Sequence, residues 1–231
     1  AILHTLEALG LHWDGQVDYQ RLHISEYEEI LADLIAQNKV YRCVCSRKNL
    51  SQVYAQTFRH AIISPDTPHS LRLLVEKQDL SFTDKLQGHI IQNVAMHYGD
   101  YILKRKDTII AYQFAVVVDD TRQQITDVVR GIDLLNETPK QLYLAHCLNL
   151  STPNYCHVPV LVDKSGKKLS KTTLAGAVNI HAPSEVLFQL LIWLKQNPPL
   201  ELARAPVDDV LAWAIAHWNG EKLKGISTIV I

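Results

Sequence analysis

Val158-Pro159-Val160-Leu161-Val162-Asp163-Lys164-Ser165-Gly166-Lys167-Lys168-Leu169-Ser170-Lys171-Thr172 joins a short apolar run to a loop that sets four lysines around one glycine. The apolar run predicts a buried strand. The loop predicts a mobile cationic flap able to neutralise a polyphosphate. It lacks the glycine frame of a P-loop. On composition alone, a solvated lysine-rich hairpin is the commoner meaning of such a loop, so its surroundings decide.

Working outward, Ile125-Thr126-Asp127-Val128-Val129-Arg130-Gly131 predicts a strand with a functional tip. A helix follows from about Pro139 to Leu148, with Thr138 as N-cap and Pro139 at the first helical position. Ala115-Val116-Val117-Val118-Asp119-Asp120 reads as a buried apolar run ending in two acids, strand-like as are 71–75, 80–84 and 101–104. Strands alternating with helices over 100–180 predict an α/β layered sheet. Ligands then sit at the carboxyl ends of strands, the places held by Arg130 and the lysine loop.

Towards the start, apolar residues at 2, 3, 6 and 9 before Gly10 predict an amphipathic helix, with no capping residue ahead of it. Ser25 and Glu28 predict a capping box for a helix to about Gln37, with Tyr27, Ile30, Leu31, Leu34 and Ile35 on its apolar face. Tyr41-Arg42-Cys43-Val44-Cys45 predicts a short strand, and residues 46–70 an irregular insertion. Beyond Ala182-Pro183 the rest reads as helical, Ser184 to about Gln196 and Val207 to Trp218.

With 47% hydrophobic residues, 231 residues can bury one large core or two smaller ones. A net charge of −1 gives no global positive field, so any RNA contact has to come from local basic patches. Cys43 and Cys45 are too close in sequence for an easy mutual disulfide, and Cys147 and Cys156 lie far off. That usage predicts a reducing, cytoplasmic setting. The longest apolar run, Val186 to Leu194, is too short for a membrane span.

Several ordered segments together carry a resemblance. Lys168-Leu169-Ser170-Lys171 is similar to the KMSKS signature of class I aminoacyl-tRNA synthetases. Arg130-Gly131-Ile132-Asp133 with Glu137-Thr138-Pro139-Lys140-Gln141 resembles the R-G-x-D…T-P-x-Q segment of their glutamyl group. Ala111 to Asp120 resembles its Y-x-x-A-V-V-x-D-D segment, and Phe82, Asp84, Gly88, Asp100 and Lys104-Arg105-Lys106-Asp107 fit the part before it. The chain is identified as a member of the glutamyl-tRNA synthetase superfamily. The Leu11-His12-Trp13-Asp14-Gly15 turn, the Cys43-Val44-Cys45 pair and the end of the chain some 60 residues past the lysine loop resemble its short paralogue. That form lacks an anticodon-binding domain and attaches glutamate to the queuosine base of tRNA(Asp).

The resemblance implies an α/β fold, a Rossmann-like class I synthetase catalytic domain with an inserted acceptor or zinc-type subdomain and a C-terminal helical part. The division it suggests is 1–40 as a helical remainder of the first half of the catalytic domain and 41–100 as the inserted subdomain. Residues 101–180 form the second half with the KLSK loop, and 181–231 the C-terminal helices. The family's first strand, its HIGH-like motif and an amino-acid-binding Arg and Glu are expected ahead of Ala1, so half of a nucleotide site is expected to be missing. Leu6, Leu9, Leu34 and Ile35 are then expected to leave an exposed apolar patch or to drive self-association.

Implied roles follow residue by residue. Tyr112 and Arg130 would hold L-glutamate, the guanidinium by paired hydrogen bonds to a carboxylate. Lys168, Leu169, Ser170 and Lys171 would bind ATP, with Lys171 and Lys168 neutralising the phosphates during catalysis. Magnesium would arrive with the ATP. The paralogue's zinc site is matched only by Cys43, Cys45 and Tyr54. No further cysteine follows near Phe58, Arg59 and His60, so no metal is expected there. Two other functions fit less closely: the catalytic core of an ordinary glutamyl-tRNA synthetase, and a non-catalytic tRNA-binding module derived from the same fold.

Overall fold

A computed structural model describes residues 2–45, 59–169 and 178–231. In chain order these form α1 (Ile2–Ala8), α2 (Ile24–Ala36), β1 (Val40–Cys43), β2 (Ser70–Leu73), β3 (Asp79–Asp84), β4 (Gly88–Asn93), α3 (Val94–His97) and β5 (Ile102–Lys104). There follow α4 (Tyr112–Arg122), β6 (Asp127–Gly131), α5 (Thr138–Cys147), β7 (Asn154–Val158), β8 (Val160–Val162), α6 (Pro183–Trp193), α7 (Val207–His217) and β9 (Thr228–Val230).

The sheet that matters for function has the order β4-β3-β7-β6. β6 and β7 run parallel, with Arg130 opposite His157, and β7 runs parallel to β3, with Tyr155 opposite Asp84. A second, antiparallel sheet has the order β1-β2-β5. Its strands pack with α2, α4 and α5 into the main core, where Tyr27, Leu31, Leu34, Leu73, Leu103, Phe114 and Leu144 are buried. Each such side chain contributes about 1.5–3 kcal/mol by leaving water. A smaller core gathers Leu9, Leu187, Leu191, Leu202 and Val210 under α6 and α7.

Several sequence expectations are corrected here. Residues 115–120 lie in helix α4. Phe114, Val117 and Val118, spaced as one helical face, bury together, and the valine run hides that period. Asp119 and Asp120 therefore diverge. Asp119 accepts from Tyr27 Oη at 2.6 Å and Gln20 Nε2 at 2.8 Å, which ties α4 to the α2 region. α2 begins at Ile24 after His23, and no side chain caps it. Glu28, expected in a capping box, instead pairs with Lys104 Nζ at 2.6 Å.

The expected strand 158–162 is two strands. Pro159 has no N–H to give a ladder, so β7 ends before it and β8 continues in another sheet with β9. β9 itself lies in a stretch read as helical. The expected apolar patch also has partners: Leu34 and Leu9 are buried, in the main and smaller cores respectively, and Ile35 packs against the main core.

Candidate active site

Arg130 is the penultimate residue of β6, and its guanidinium is held on three sides. Nε donates to Nε2 of His157 at 3.0 Å, Nη2 donates to Oγ1 of Thr138 at 2.7 Å, and the Tyr155 ring lies 5.2 Å away as a cation–π partner. Nη2 also reaches the Leu134 carbonyl at 3.4 Å. Nη1 makes no hydrogen bond to a described residue, so its N–H groups remain for a carboxylate.

Thr138 was expected to cap α5. It is instead the first helical residue, its hydroxyl turned to Arg130 and, at 3.2 Å, to His157 Nε2. The sequence T-P suggested a cap; the tertiary partner overrides it.

Behind Arg130 stands a buried polar chain. His157 Nδ1 is 2.6 Å from Asp84 Oδ2, and neither side chain is exposed. Asp84 also accepts from the backbone N–H groups of Leu86, Gln87 and His157 at 3.0, 2.9 and 3.1 Å. Burial by itself would raise the Asp84 pKa, but the hydrogen bonds from His157, Gln87 and Leu86 outweigh it and hold the carboxyl below its ordinary range. Burial lowers the pKa of His157, Arg130 adds to that effect, and the Asp84 hydrogen bond opposes it; the imidazole stays neutral.

Tyr112 opens α4 and is about half exposed. Gln113 beside it donates to Glu137 Oε2 at 2.5 Å, and Lys140 Nζ joins the same carboxylate at 2.6 Å, so the starts of α4 and α5 are tied together. Tyr155, whose phenol burial pushes up to about 12, lies within electrostatic reach of Arg130, Asp120 and Tyr112. Burial also raises the Asp120 carboxyl, while the Arg130 charge pulls it down. A cavity of about 210 Å³ beside these groups is lined by Asp120, Thr121, Gln141, Thr152 and Tyr155.

The lysine loop begins as a tight hairpin. Asp163 Oδ1 accepts from Ser165 N at 2.8 Å and Lys167 N at 3.0 Å. Gly166 takes a φ of +79°, open to glycine at little cost. The turn returns Lys168 to lie across from Val162, and Lys168 Nζ pairs with Asp133 Oδ2 at 2.6 Å. Gly131 makes room for that carboxylate, since a Cβ at 131 would sit 2.4 Å from Asp133 Oδ1. The loop and Arg130 are thus joined through the turn that ends β6. Leu169 follows, bonded to the Leu161 carbonyl at 3.0 Å. Ser170 and Lys171 lie outside the described residues.

Tyr54 also lies outside them. Cys43 is buried with its Sγ 2.6 Å from that of Cys45, and burial raises the Cys45 thiol to about 11. Arg59, just before His60, pairs with Asp100 at 2.6 Å. Among the described residues no three His, Cys, Asp or Glu side chains gather to hold a metal. The two thiols alone do not fit a closed zinc site.

Arg130, Tyr112 and Lys168 stand out from the sequence, whereas the partnership of His157 and Thr138 with Arg130, and of Asp133 with Lys168, does not. For His157 a lone sequence carries no signal, because only the β6–β7 pairing places it opposite Arg130.

The family described as tRNA synthetases class I (E and Q), catalytic domain, matches residues 1–187. The chain belongs to that family of class I tRNA synthetases. Within it, curated relatives carry the name glutamyl-Q tRNA(Asp) synthetase. That of Pseudomonas aeruginosa PAO1 is 39% identical over 232 residues, covering 99% of this chain and 79% of the relative. That of Methylococcus capsulatus is 41% identical over 227 residues, covering 96% of this chain and 75% of the relative. Among solved structures, a glutamate tRNA ligase of Elizabethkingia meningosepticum, in complex with its amino acid, superposes with a TM-score of 0.74 at 17% identity. That likeness covers 99% of this chain but only 56% of the ligase, and it speaks for the fold.

Proposed function

We propose that the protein activates L-glutamate with ATP and Mg2+ as glutamyl-adenylate and passes the glutamyl group to the queuosine base of tRNA(Asp). The observation that carries this reading is the junction of two groups at one end of the sheet. Arg130 Nη1 has no hydrogen bond to a described residue, and Lys168 is tethered to Asp133, three residues beyond it. An acidic amino acid and a polyphosphate need that pair of cations.

In the proposed step a carboxylate oxygen of glutamate, ionised near neutral pH, attacks the α-phosphorus of ATP in line. A P–O bond forms, the bond to the β,γ-diphosphate breaks, and pyrophosphate leaves with the electron pair. No proton is moved in this step, so it needs no general base and is catalysed by positioning and charge stabilisation. In the transfer a hydroxyl oxygen of the acceptor base bonds to the glutamyl carbonyl carbon, the bond from that carbon to the phosphate oxygen breaks, AMP leaves with the electron pair, and the hydroxyl proton passes to solvent. Arg130 and Tyr112 would hold glutamate, while Lys168, Leu169, Ser170 and Lys171 would hold ATP, the lysines countering the charge of pyrophosphate. The names of the relatives support tRNA(Asp) as acceptor. A cytoplasmic setting fits that partner; among the described residues no helix is long and apolar enough to cross a membrane.

The test is charging with labelled glutamate. Product is expected on queuosine-containing tRNA(Asp) and not on the same tRNA lacking queuosine. A 3′-terminal ester on tRNA(Glu) would instead assign the chain to the ordinary glutamyl enzymes. Exchange of pyrophosphate into ATP that depends on glutamate would refute a binding module, and its absence in a full-length version that carries the HIGH-like segment would refute the enzyme reading.

A further inference from the structure

We propose that His157, keyed by Asp84, is a positioning residue that fixes the guanidinium plane of Arg130 for the glutamate carboxylate. This rests on the reading of Arg130 as the glutamate anchor.

The hydrogen-bond directions leave one arrangement. Arg130 Nε carries a hydrogen and can only donate, so the His157 Nε2 it meets at 3.0 Å has to present a lone pair. The imidazole proton therefore sits on Nδ1, where Asp84 Oδ2 accepts it at 2.6 Å. Asp84 cannot swing to suit another tautomer. Its carboxylate is held by the backbone N–H groups of Leu86, Gln87 and His157, in the turn that closes β3. Rigid backbone thus sets the carboxylate, the carboxylate sets the tautomer, and the tautomer turns the Nε2 lone pair to Arg130 Nε at 3.0 Å, with the Thr138 hydroxyl beside it at 3.2 Å.

A guanidinium is planar, so few contacts define its orientation. Nε on His157, Nη2 on Thr138 and the Tyr155 ring 5.2 Å away are enough to fix the plane, and Nη1 is the nitrogen with no hydrogen bond to a described residue. A well-packed apolar residue would fill the same space without a buried pair, and such replacements are often no less stable. What it would lack is direction.

Asparagine and glutamine separate the two ends of the ring. His157→Asn keeps a donor near Nδ1 for Asp84 and withdraws the acceptor from Arg130. His157→Gln reaches the Nε2 position with an acceptor oxygen. L-glutamate binding by calorimetry and the KM values in ATP–pyrophosphate exchange are to be measured for both, alone and with Arg130→Ala.

His157→Asn is expected to weaken glutamate binding roughly tenfold, with the ATP KM within about twofold. His157→Gln should stay near wild type. In the Arg130→Ala background His157→Asn should do nothing more, because its effect passes through Arg130. Unchanged glutamate binding in His157→Asn, alongside a strong Arg130→Ala effect, would overturn the positioning role alone. So would additive effects, or glutamine no better than asparagine. If Arg130→Ala itself leaves glutamate binding intact, the anchor reading fails and this inference with it. Should His157→Asn not fold, nitrogen NMR of the wild-type imidazole decides: a proton on Nδ1 alone is expected, and a proton on Nε2 overturns the inference.

Discussion

Replacing Asp84 by asparagine keeps the side-chain volume and removes its charge, so it isolates what the buried carboxylate does. Asp84 accepts hydrogen bonds from Leu86 N, Gln87 N, His157 N and His157 Nδ1, the last at 2.6 Å. The asparagine amide has one oxygen and one NH2. Whichever way it turns, its NH2 faces a donor: either the backbone N–H pair of 86 and 87, or Nδ1–H of His157. Moving the imidazole proton to Nε2 does not help, because Arg130 Nε–H waits there at 3.0 Å.

A hydrogen bond to a charged group is worth about 1.5–3 kcal/mol, and a buried donor left unsatisfied costs about 1–3 kcal/mol. The relief of desolvating a neutral group in place of a carboxylate offsets part of this, so a net loss of about 2–4 kcal/mol is expected. At this chain length each kcal/mol lowers Tm by about 2–4 °C. Urea unfolding at pH 7.5, followed by circular dichroism, measures the loss directly. A change under about 1 kcal/mol, with an unchanged denaturant slope, would mean that the Asp84–His157 contact is not held in solution as the structure has it.

Four further outcomes can be checked. Burial and Arg130 keep the His157 pKa below the ordinary 6.5 against the pull of Asp84. The unfolded chain therefore takes up a proton that the folded one refuses, and stability falls as pH drops below that value, by up to about 1.4 kcal/mol per unit. His157→Gln should flatten that fall between pH 7.5 and 5.5 in urea titrations, and parallel curves would place the dependence elsewhere. Arg130→Lys keeps the charge and loses the fork, so the glutamate KM should rise roughly 10- to 100-fold with the ATP KM unmoved; an unaltered KM would remove Arg130 from the glutamate site. Asp100→Ala strips the acceptor from Arg59, Tyr41 and Val75 N, buried at 2.6–2.9 Å, and should cost about 3–5 kcal/mol in urea unfolding; a loss below 1 kcal/mol would contradict that network. Lys171→Ala should depress exchange by roughly two orders of magnitude or more with the unfolding midpoint unchanged, and full exchange activity would exclude Lys171 from the mechanism.

Local chemistry was legible in the sequence wherever it was encoded by spacing. The apolar face of Tyr27, Ile30, Leu31, Leu34 and Ile35 gave α2, proline punctuation bounded α6 and α7 to within a few residues, and the β-branched run around Val128 gave β6. The same rule misread α4, because Val116-Val117-Val118 satisfies a strand and a helix equally and only its packing against Tyr27 and Leu144 decides. Arg130 and Lys168 were legible as members of ordered motifs. Thr138 was legible as a residue but not as a role, since capping is a local rule and its partners lie 8 and 19 positions away.

What no local rule could supply is register. Asp84, His157 and Arg130 belong to three adjacent strands, and they meet because β6 and β7 run parallel with Arg130 opposite His157 while β3, parallel to β7, ends with Asp84 opposite Tyr155. The carboxyl end of such a sheet is where ligands gather. Side chains alternate faces along a strand, so slipping β7 by one residue would turn His157 to the opposite face and bring Cys156 or Val158 opposite Arg130. Neither offers a strong acceptor to Nε. The fully buried Asp84 resists such a slip, because the backbone N–H of His157 and its Nδ1 both bond to that carboxylate. The polar chain that aims Arg130 therefore also locks the strand that carries it. Loosening the Asp84 contact should therefore disturb glutamate binding before it disturbs the core around Leu144 and Phe114.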